Sequence, residues 1–227
     1  MAHEIVFLFD VDNTLLDNDR VSADLKRHLT NHVGAQRQAR YWAIFEELRA
    51  ELGYADYLGA LQRYRAENPR DPHLLTVSAF LVNYPFARRL YPKALNVLEH
   101  VTQWGPAVIL SDGDVVFQPR KVERAGIRAA VDGNVLIYIH KEFELEDVRQ
   151  RFPANHYVLV DDKLRILTSV KQAWSNQVTT VFPRQGHYAQ DVEALSKYPA
   201  ADLTIERIGD LLELDARALL AAAGNVS

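Results

Sequence analysis

The sequence predicts an α/β protein, in which a parallel β-sheet is interrupted by a helical insertion. Two observations support this fold class. Short, continuous apolar runs alternate with helical patterns over most of the chain, and one long stretch near the N-terminus carries helical patterns without a convincing strand. Strands that alternate with helices are joined by right-handed crossovers, and this arrangement gives an open sheet with helices on both faces.

Five apolar runs are predicted to be buried strands. Each run is short and continuous, which is typical of strands that are covered on both faces of a parallel sheet. The predicted strands comprise residues 5–9, 107–110, 135–139, 157–160 and 178–182.

Helical patterns separate the last four of these strands. They cover residues 93–104, 119–125, 142–152 and 164–174. In the first pattern, apolar residues recur at positions 94, 95, 98 and 101, and Gly105-Pro106 supplies a stop signal. The leucine- and alanine-rich stretch 203–223 is predicted to form one further helix on the core.

The stretch from residue 17 to residue 91 is predicted to be a helical insertion after the first strand. Apolar residues recur at helical spacing at positions 41, 44, 45, 48 and 52, and again at 57, 58, 61 and 64. Asp71-Pro72 resembles an N-cap followed by proline, so a third helix is expected through about residue 82. Residues 1–16 and 92–227 would then form the α/β core, and residues 17–91 a helical domain.

The composition excludes several function classes. The 227 residues are 48% apolar and 25% charged, as in an ordered globular protein with one sizeable core. The chain has no cysteine, so disulfides, thiolate nucleophiles and cysteine-ligated metal sites are excluded. A net charge of −4 without a long basic run argues against a general nucleic-acid binder. No apolar stretch approaches the ~20 residues of a membrane helix, and the N-terminus does not resemble a signal peptide, so a cytoplasmic protein without a membrane partner is expected.

Two aspartates, Asp10 and Asp12, directly follow the first predicted strand. Open α/β sheets bind their ligands at the carboxyl ends of the strands. One carboxylate could attack a substrate there while the other transfers a proton. Two simpler interpretations stay open. Aspartates after strands are common turn residues, and Asp10, Asp12 and Asp17 could hold calcium, although Leu15 and Val21 stand where an EF-hand loop needs glycine and glutamate.

Residues 7–16, Phe-Leu-Phe-Asp-Val-Asp-Asn-Thr-Leu-Leu, resemble the first motif of the haloacid dehalogenase superfamily, an apolar strand followed by Asp-x-Asp-x-Thr-Leu. The resemblance implies that Asp10 attacks phosphorus and becomes an aspartyl phosphate. It implies that Asp12 protonates the leaving oxygen and later activates water. Asn13 stands where glycine is commonest in the family. Dehalogenases of the superfamily lack an aspartate at the position of Asp12, because a halide needs no proton, so Asp12 favours phosphoryl transfer.

Further motifs of the family follow in order, each after a predicted strand. Ser111, in Ser-Asp-Gly-Asp, would hydrogen-bond a phosphoryl oxygen, although a serine there taken alone is more often a turn or capping residue. Lys141 would neutralise negative charge at the nucleophile and the phosphate. Lys121, inside a predicted helix, competes for this role but fits the family pattern less well.

The vicinal pair Asp161 and Asp162 is predicted to belong to a magnesium site. Like charges raise each other's pKa, and Mg²⁺, which prefers oxygen ligands, would relieve the repulsion. Alignment with the Gly-Asp form of the family's last motif puts Asp162 at the metal and gives Asp161 a secondary place. The resemblance implies that the Asp10 carboxylate and the Asp12 backbone carbonyl are also ligands. A further aspartate that is frequent in the family would fall at Ile166 and is missing.

The resemblance identifies the insertion as the family's all-helical cap on a Rossmann-like core. Such a cap would cover the site and select the leaving group. Arginines and aromatic residues in it could bind an anionic or planar substrate, although such residues are mostly solvated or core. This set comprises Arg37, Arg40, Tyr41, Trp42, Arg63, Tyr64 and Arg65. Arg184, Gln185 and His187 follow the last predicted strand as candidate rim residues.

The family implies a magnesium-dependent phosphatase for a small phosphorylated metabolite, acting as a monomer or a small homo-oligomer. A phosphomutase of the same superfamily would use the same aspartyl phosphate and return it to a sugar. A module that binds ligands without turnover is a third alternative. Receiver domains also combine a strand-end aspartate with magnesium, but they are shorter and lack a helical insertion.

Overall fold

The computed structural model describes residues 2–223, which contain a six-stranded parallel sheet. The strands are β1 (His3–Phe9), β2 (Ala107–Asp112), β3 (Val135–Tyr138), β4 (Ala154–Val160), β5 (Val178–Pro183) and β6 (Leu203–Ile205). Their order across the sheet is β3-β2-β1-β4-β5-β6, so the first strand of the chain lies near the middle. The α/β fold class and the five predicted strands are confirmed.

The strand β1 is central because both of its faces are apolar. Phe7 lies opposite Val158 of β4 in the parallel register. Alternate residues of β1 enter two separate hydrophobic clusters: Phe7 and Phe9 belong to one, and Val6 and Leu8 to the other. A strand buried on both faces needs the continuous apolar run by which it was predicted.

The segment predicted to be a helical insertion contains four α-helices and a short 3₁₀ helix at Phe86–Arg89. The α-helices are α1 (Asn18–Val33), α2 (Ala35–Leu52), α3 (Tyr57–Glu67) and α4 (Leu74–Asn83). The helix predicted to begin at Asp71-Pro72 starts later. Asp71 instead accepts a hydrogen bond from the backbone N–H of His73, just before α4. The division into two domains at residues 16/17 and 91/92 stays a prediction.

The remaining helices cover the two faces of the sheet. They are α5 (Ala94–Val101), α6 (Phe117–Arg124), α7 (Ile127–Ala130), α8 (Leu145–Arg151), α9 (Leu164–Trp174), α10 (Val192–Lys197) and α11 (Ala216–Ala222). The four helices predicted between the later strands are confirmed, although α5 and α8 are shorter than expected. Within residues 2–223, no helix is long and apolar enough to cross a membrane.

The prediction of a single helix over residues 203–223 is wrong. Its first residues form β6, which pairs with β5, and a 3₁₀ helix follows at Ile208–Glu213. Only α11 is α-helical, and it begins anew because the Asp215 carboxylate accepts a hydrogen bond from the backbone N–H of Ala218.

The two linkers that join the helical insertion to the sheet run side by side. Leu16 and Leu90 form an isolated antiparallel bridge. The N–H of Asp17 donates to the Arg89 carbonyl at 2.8 Å, and that of Tyr91 donates to the Leu15 carbonyl at 2.9 Å. The chain therefore leaves the core and returns to it at adjacent points.

Candidate active site

The carboxyl ends of β1 and β4 bring Asp10 and Asp161 to the same lysine. The ammonium nitrogen of Lys141 lies 2.5 Å from Asp10 Oδ1 and 2.6 Å from Asp161 Oδ2. All three residues are buried. Lys141 reaches them from a 3₁₀ helix at Lys141–Phe143, after β3. Burial alone would lower the pKa of Lys141, but the two carboxylates raise it above its usual value, so this lysine is a fixed positive charge.

The neighbouring carboxylate of Asp162 is fully buried, and neither oxygen has a hydrogen-bond partner among the described residues. Asp10 Oδ2 is also without one. The backbone N–H of Asp162 donates to the Thr14 hydroxyl at 3.1 Å, which fixes the start of the turn after β4 against the turn after β1. Burial raises the pKa of Asp162 well above its usual value, and the charges of Asp10 and Asp161 add to this.

These three aspartates fit a divalent cation. Each of Asp10, Asp161 and Asp162 offers an oxygen, and the three oxygens lie within 4.8 Å of one another. Lys141 is the only lysine or arginine within 4 Å of them among the described residues, and it does not reach Asp162. A buried carboxylate without a partner is costly, and hard oxygen donors suit Mg²⁺. The assignment of Asp162 as a ligand stays a prediction, and the Asp161 carboxylate already forms an ion pair with Lys141.

The carboxylate of Asp12 faces a second buried lysine. Lys121 of α6 lies 2.6 Å from Asp12 Oδ1 and 2.8 Å from Oδ2, and it also donates to Asn18 Oδ1 at 3.1 Å. Both lysines considered in the sequence therefore reach the site, but they have different partners. Lys141 binds the candidate nucleophile Asp10, and Lys121 binds the candidate acid Asp12.

The hydroxyl of Ser111 is held by a residue that the sequence did not single out. Gln118 of α6 donates to Ser111 Oγ at 2.9 Å, and the hydroxyl donates weakly to the Asp112 carbonyl at 3.3 Å. The Asp112 carboxylate accepts the backbone N–H of Lys141 at 2.8 Å. This hydrogen bond connects the end of β2 to the segment that follows β3, beside Asp10.

Asn13 occupies a left-handed backbone conformation, with φ of 60°, directly after Asp12. Asparagine tolerates this region better than most residues, which accounts for its standing where glycine is commonest in the family. Its amide donates to Asp19 Oδ1 at 3.1 Å, and the same oxygen lies 2.7 Å from His187 Nδ1. The candidate rim residue His187 therefore contacts α1 through Asp19. The neighbouring Gln185 donates a separate hydrogen bond to the Thr14 carbonyl at 3.0 Å.

A cavity of about 540 Å³ opens over these residues, between the helical insertion and the sheet. Its polar end includes Asp12, Lys121 and Asp162. Further lining comes from α2, α3 and the loop between them, and comprises Trp42, Phe45, Glu46, Arg49, Gly53, Tyr54, Ala55 and Tyr57. The volume suits a ligand considerably larger than phosphate.

Most of the arginine and aromatic set proposed from the sequence lies elsewhere. Arg37, Arg40 and Arg63 form ion pairs with carboxylates of the insertion, at Asp71, Glu67 and Glu51 respectively. Tyr41 and Tyr64 are buried in the core of the insertion, and neither they nor Arg65 lines the cavity, whereas Trp42 does. Arg184 pairs with Glu206 at 3.4 Å, away from the cavity. The sequence did not single out Arg49, which lines the cavity and donates to the Tyr188 hydroxyl at 2.7 Å.

The sequence profile of the haloacid dehalogenase-like hydrolases matches residues 6–173. No curated protein matches the sequence. A solved structure from Burkholderia xenovorans LB400, described as a haloacid dehalogenase-like hydrolase, is 65% identical with a TM-score of 0.90; the match covers 94% of this chain and 100% of that one.

Two more distant solved structures share the fold. The L-2-haloacid dehalogenase from Xanthobacter autotrophicus is 20% identical, with a TM-score of 0.62 over 94% of this chain and 98% of that one. The HAD-hydrolase YfnB from Bacillus subtilis, bound to magnesium, is 15% identical, with a TM-score of 0.60 over 93% and 98%. At these identities the likeness concerns the arrangement of the chain alone.

Proposed function

Because this chain belongs to the haloacid dehalogenase-like hydrolases, we propose that it is a magnesium-dependent phosphatase that hydrolyses small phosphomonoesters through an aspartyl phosphate at Asp10. The observation that carries this proposal is the carboxylate of Asp12. It lines the cavity two residues after the buried Asp10, and a lysine holds it in place. An alkoxide leaving group needs a proton and a halide does not, so a second carboxylate here serves phosphate ester chemistry and not dehalogenation.

Asp10 acts as the nucleophile in this proposal. Its carboxylate oxygen forms a bond to phosphorus while the bond from phosphorus to the leaving oxygen breaks. Asp12 gives its proton to that oxygen, so the product leaves as a neutral alcohol. Water then attacks phosphorus, Asp12 takes a proton from the water, and inorganic phosphate departs as Asp10 is regenerated.

The other residues of the site position groups and balance charge. Lys141 holds the Asp10 carboxylate from one side. Ser111, whose hydroxyl accepts a hydrogen bond from Gln118, would bind a phosphoryl oxygen. Asp10, Asp162 and the backbone carbonyl of Asp12 would hold Mg²⁺, with Asp161 as a secondary partner. When bound, the ion would offset the repulsion between the anionic nucleophile and the phosphate.

The test is phosphate release from a panel of small phosphomonoesters, with and without Mg²⁺. We expect release that requires Mg²⁺ and that disappears in Asp10→Asn, while circular dichroism shows a native fold. Asp132→Asn is the matched control, because Asp132 is an exposed turn residue with φ of 51°, which asparagine also tolerates.

A parallel assay follows chloride release from 2-chloropropionate. Chloride release without phosphate release would replace the phosphatase with a dehalogenase. Formation of the aspartyl phosphate without hydrolysis would favour a phosphomutase. Near wild-type turnover by Asp10→Asn would rule out Asp10 as the nucleophile.

A further inference from the structure

One wall of the cavity is a row of aromatic rings in contact. The ring centroids of Trp42 and Phe45 are 4.9 Å apart, and those of Phe45 and Tyr57 are 4.6 Å apart. All three residues line the cavity. The row continues below the wall, where Tyr57 lies 5.3 Å from Phe117 of α6.

A lysine stands at each end of this row. At the outer end, Lys26 Nζ lies 4.1 Å from the centroid of the Trp42 ring. At the inner end, Lys121 Nζ lies 5.6 Å from the Phe117 ring and 2.6 Å from Asp12 Oδ1. A cation over an aromatic face is attracted by the ring quadrupole. The row therefore has an apolar middle, a lysine without a carboxylate partner at its outer end, and a lysine already paired with Asp12 at its inner end.

Lys26 differs in its charge balance from two arginines of the insertion, Arg49 and Arg63. Arg49 shares its charge with Glu46 at 3.7 Å, and Arg63 pairs with Glu51 at 2.7 Å. Lys26 is exposed, lines the cavity, and has no carboxylate within 4 Å among residues 2–223. It is a positive charge at the cavity mouth that the protein itself does not neutralise.

We propose that the cavity accepts phosphomonoesters whose alcohol part contains a flat ring and carries a carboxylate at the end remote from the phosphate. The phosphate lies at Asp10 and Asp12, the ring lies along Trp42 and Phe45, and the carboxylate meets Lys26. This substrate class rests on the phosphatase function proposed above. The volume of about 540 Å³ accommodates a ring of this kind, which a two- or three-carbon ester would leave mostly empty.

Three esters separate the contributions of the ring and of the second charge. They are cyclohexyl phosphate, phenyl phosphate and 4-carboxyphenyl phosphate. We expect KM to be lower for phenyl than for cyclohexyl phosphate, and kcat/KM to be about tenfold higher for the carboxylated ester than for phenyl phosphate, as one charge-assisted contact supplies. Phenyl and cyclohexyl phosphate differ in leaving-group basicity as well, so KM and not kcat reports on the ring.

Lys26→Gln tests the second anion site. The ratio of kcat/KM between the carboxylated ester and phenyl phosphate should fall about tenfold, to near one. Arg63→Gln is the matched control, since it removes an exposed cation of the insertion that lies outside the cavity, and it should leave the ratio unchanged. Equal kcat/KM for the two esters in the wild type, or an unchanged ratio in Lys26→Gln, would overturn the proposal.

Binding to Asp10→Asn distinguishes this proposal from the phosphatase function itself. Calorimetric titration of the inactive variant should show tighter binding of 4-carboxyphenyl phosphate than of phenyl phosphate, again by about tenfold. If no ester is hydrolysed by the wild type but this difference is found, the phosphatase proposal fails and the ligand class stands. If the wild type hydrolyses the esters but Asp10→Asn binds both equally well, the phosphatase proposal stands and the proposed substrate class fails.

Discussion

The ammonium nitrogen of Lys121 contacts both carboxylate oxygens of Asp12, at 2.6 and 2.8 Å, and donates to Asn18 at the start of α1. One buried cation thus joins the candidate proton-transferring group, the helix α6 of the core and the first helix of the insertion. The position of Asp12 therefore depends on residues far from it in the sequence.

Asp12→Asn should slow hydrolysis in proportion to the need of the leaving group for a proton. We expect kcat/KM, which reports the step in which the leaving group departs, to fall by about 10²–10⁴-fold for an alkyl phosphate and much less for 4-nitrophenyl phosphate, whose leaving group is a weak base. Phosphate release and acid-quenched phosphoenzyme are measured together, and Asp132→Asn serves as the control. An equal loss with both esters would mean that Asp12 does not transfer the proton.

Lys121→Met should weaken hydrolysis through Asp12. The methionine side chain keeps most of the volume but loses the charge, so we expect kcat/KM for the alkyl phosphate to fall by roughly 10–100-fold, with a smaller loss for 4-nitrophenyl phosphate. Lys171→Met is the control, because Lys171 pairs with Asp202 at 2.9 Å outside the cavity. A loss that does not depend on the leaving group would assign Lys121 to phosphate binding instead.

Asp162→Asn should have opposite effects on stability with and without metal. In EDTA the wild type buries a carboxylate without a partner beside two others, so the neutral variant should melt a few degrees higher, about 2–4 °C for each kcal/mol. Mg²⁺ should raise the Tm of the wild type and leave that of the variant nearly unchanged, because ligand binding stabilises only a protein that has the site. Thermal unfolding monitored by circular dichroism measures both. A similar magnesium-induced rise in the variant would remove Asp162 from the metal site.

The Asp24 carboxylate should make the free energy of unfolding depend on pH below about pH 4. Burial alone would raise its pKa, but hydrogen bonds from Tyr84 and Arg89 outweigh this and lower the pKa below 3.8. The stabilisation by the ionised group is thus complete above about pH 4, the unfolded pKa, and is lost as the pH falls through the lower folded value. Asp24→Asn should cost about 2 kcal/mol at pH 7.

Between pH 6 and pH 3, the Tm difference between wild type and Asp24→Asn should stay nearly constant above about pH 4 and should narrow as the pH falls below it. Asp56→Asn is a control that keeps the acceptor oxygen of an N-cap, here for the N–H of Gly59. A constant difference between wild type and Asp24→Asn over this range would show that the carboxylate charge does not contribute to the stability of the α1 contacts.

The sequence predicted the sheet well because its strands are buried on both faces, and this needs continuous apolar runs. The short edge strand Leu203–Ile205 has no such run, since only Ile205 is buried, and the leucines around it resemble a helical stripe. The helix α1 was not predicted individually, although the sequence carries its signal. Its buried residues Val21, Leu25, Leu29 and Val33 recur every four positions after the capping carboxylate of Asp17.

The site could be predicted where a strand end fixes a side chain, as for Asp10, Asp161 and Asp162. It could not be predicted where contacts depend on how separate helices pack. Lys121 reaches Asp12 only because α6 lies beside the start of α1, over a sequence separation of 109 residues. Arg37, Arg40 and Arg63 have the right chemistry for anions, but partners brought close by helix packing neutralise them.

The paired linkers at Leu16 and Leu90 give the insertion the topology of a loop, however long it is. Loop closure becomes only slowly more costly with length, so the sheet tolerates large changes in what lies between the linkers. The aromatic residues Trp42, Phe45 and Tyr57 that line the cavity belong to that segment, whereas Asp10, Lys141 and Asp162 do not. Under the function proposed above, a segment exchanged between these two anchor points would carry a new substrate preference onto the same catalytic groups.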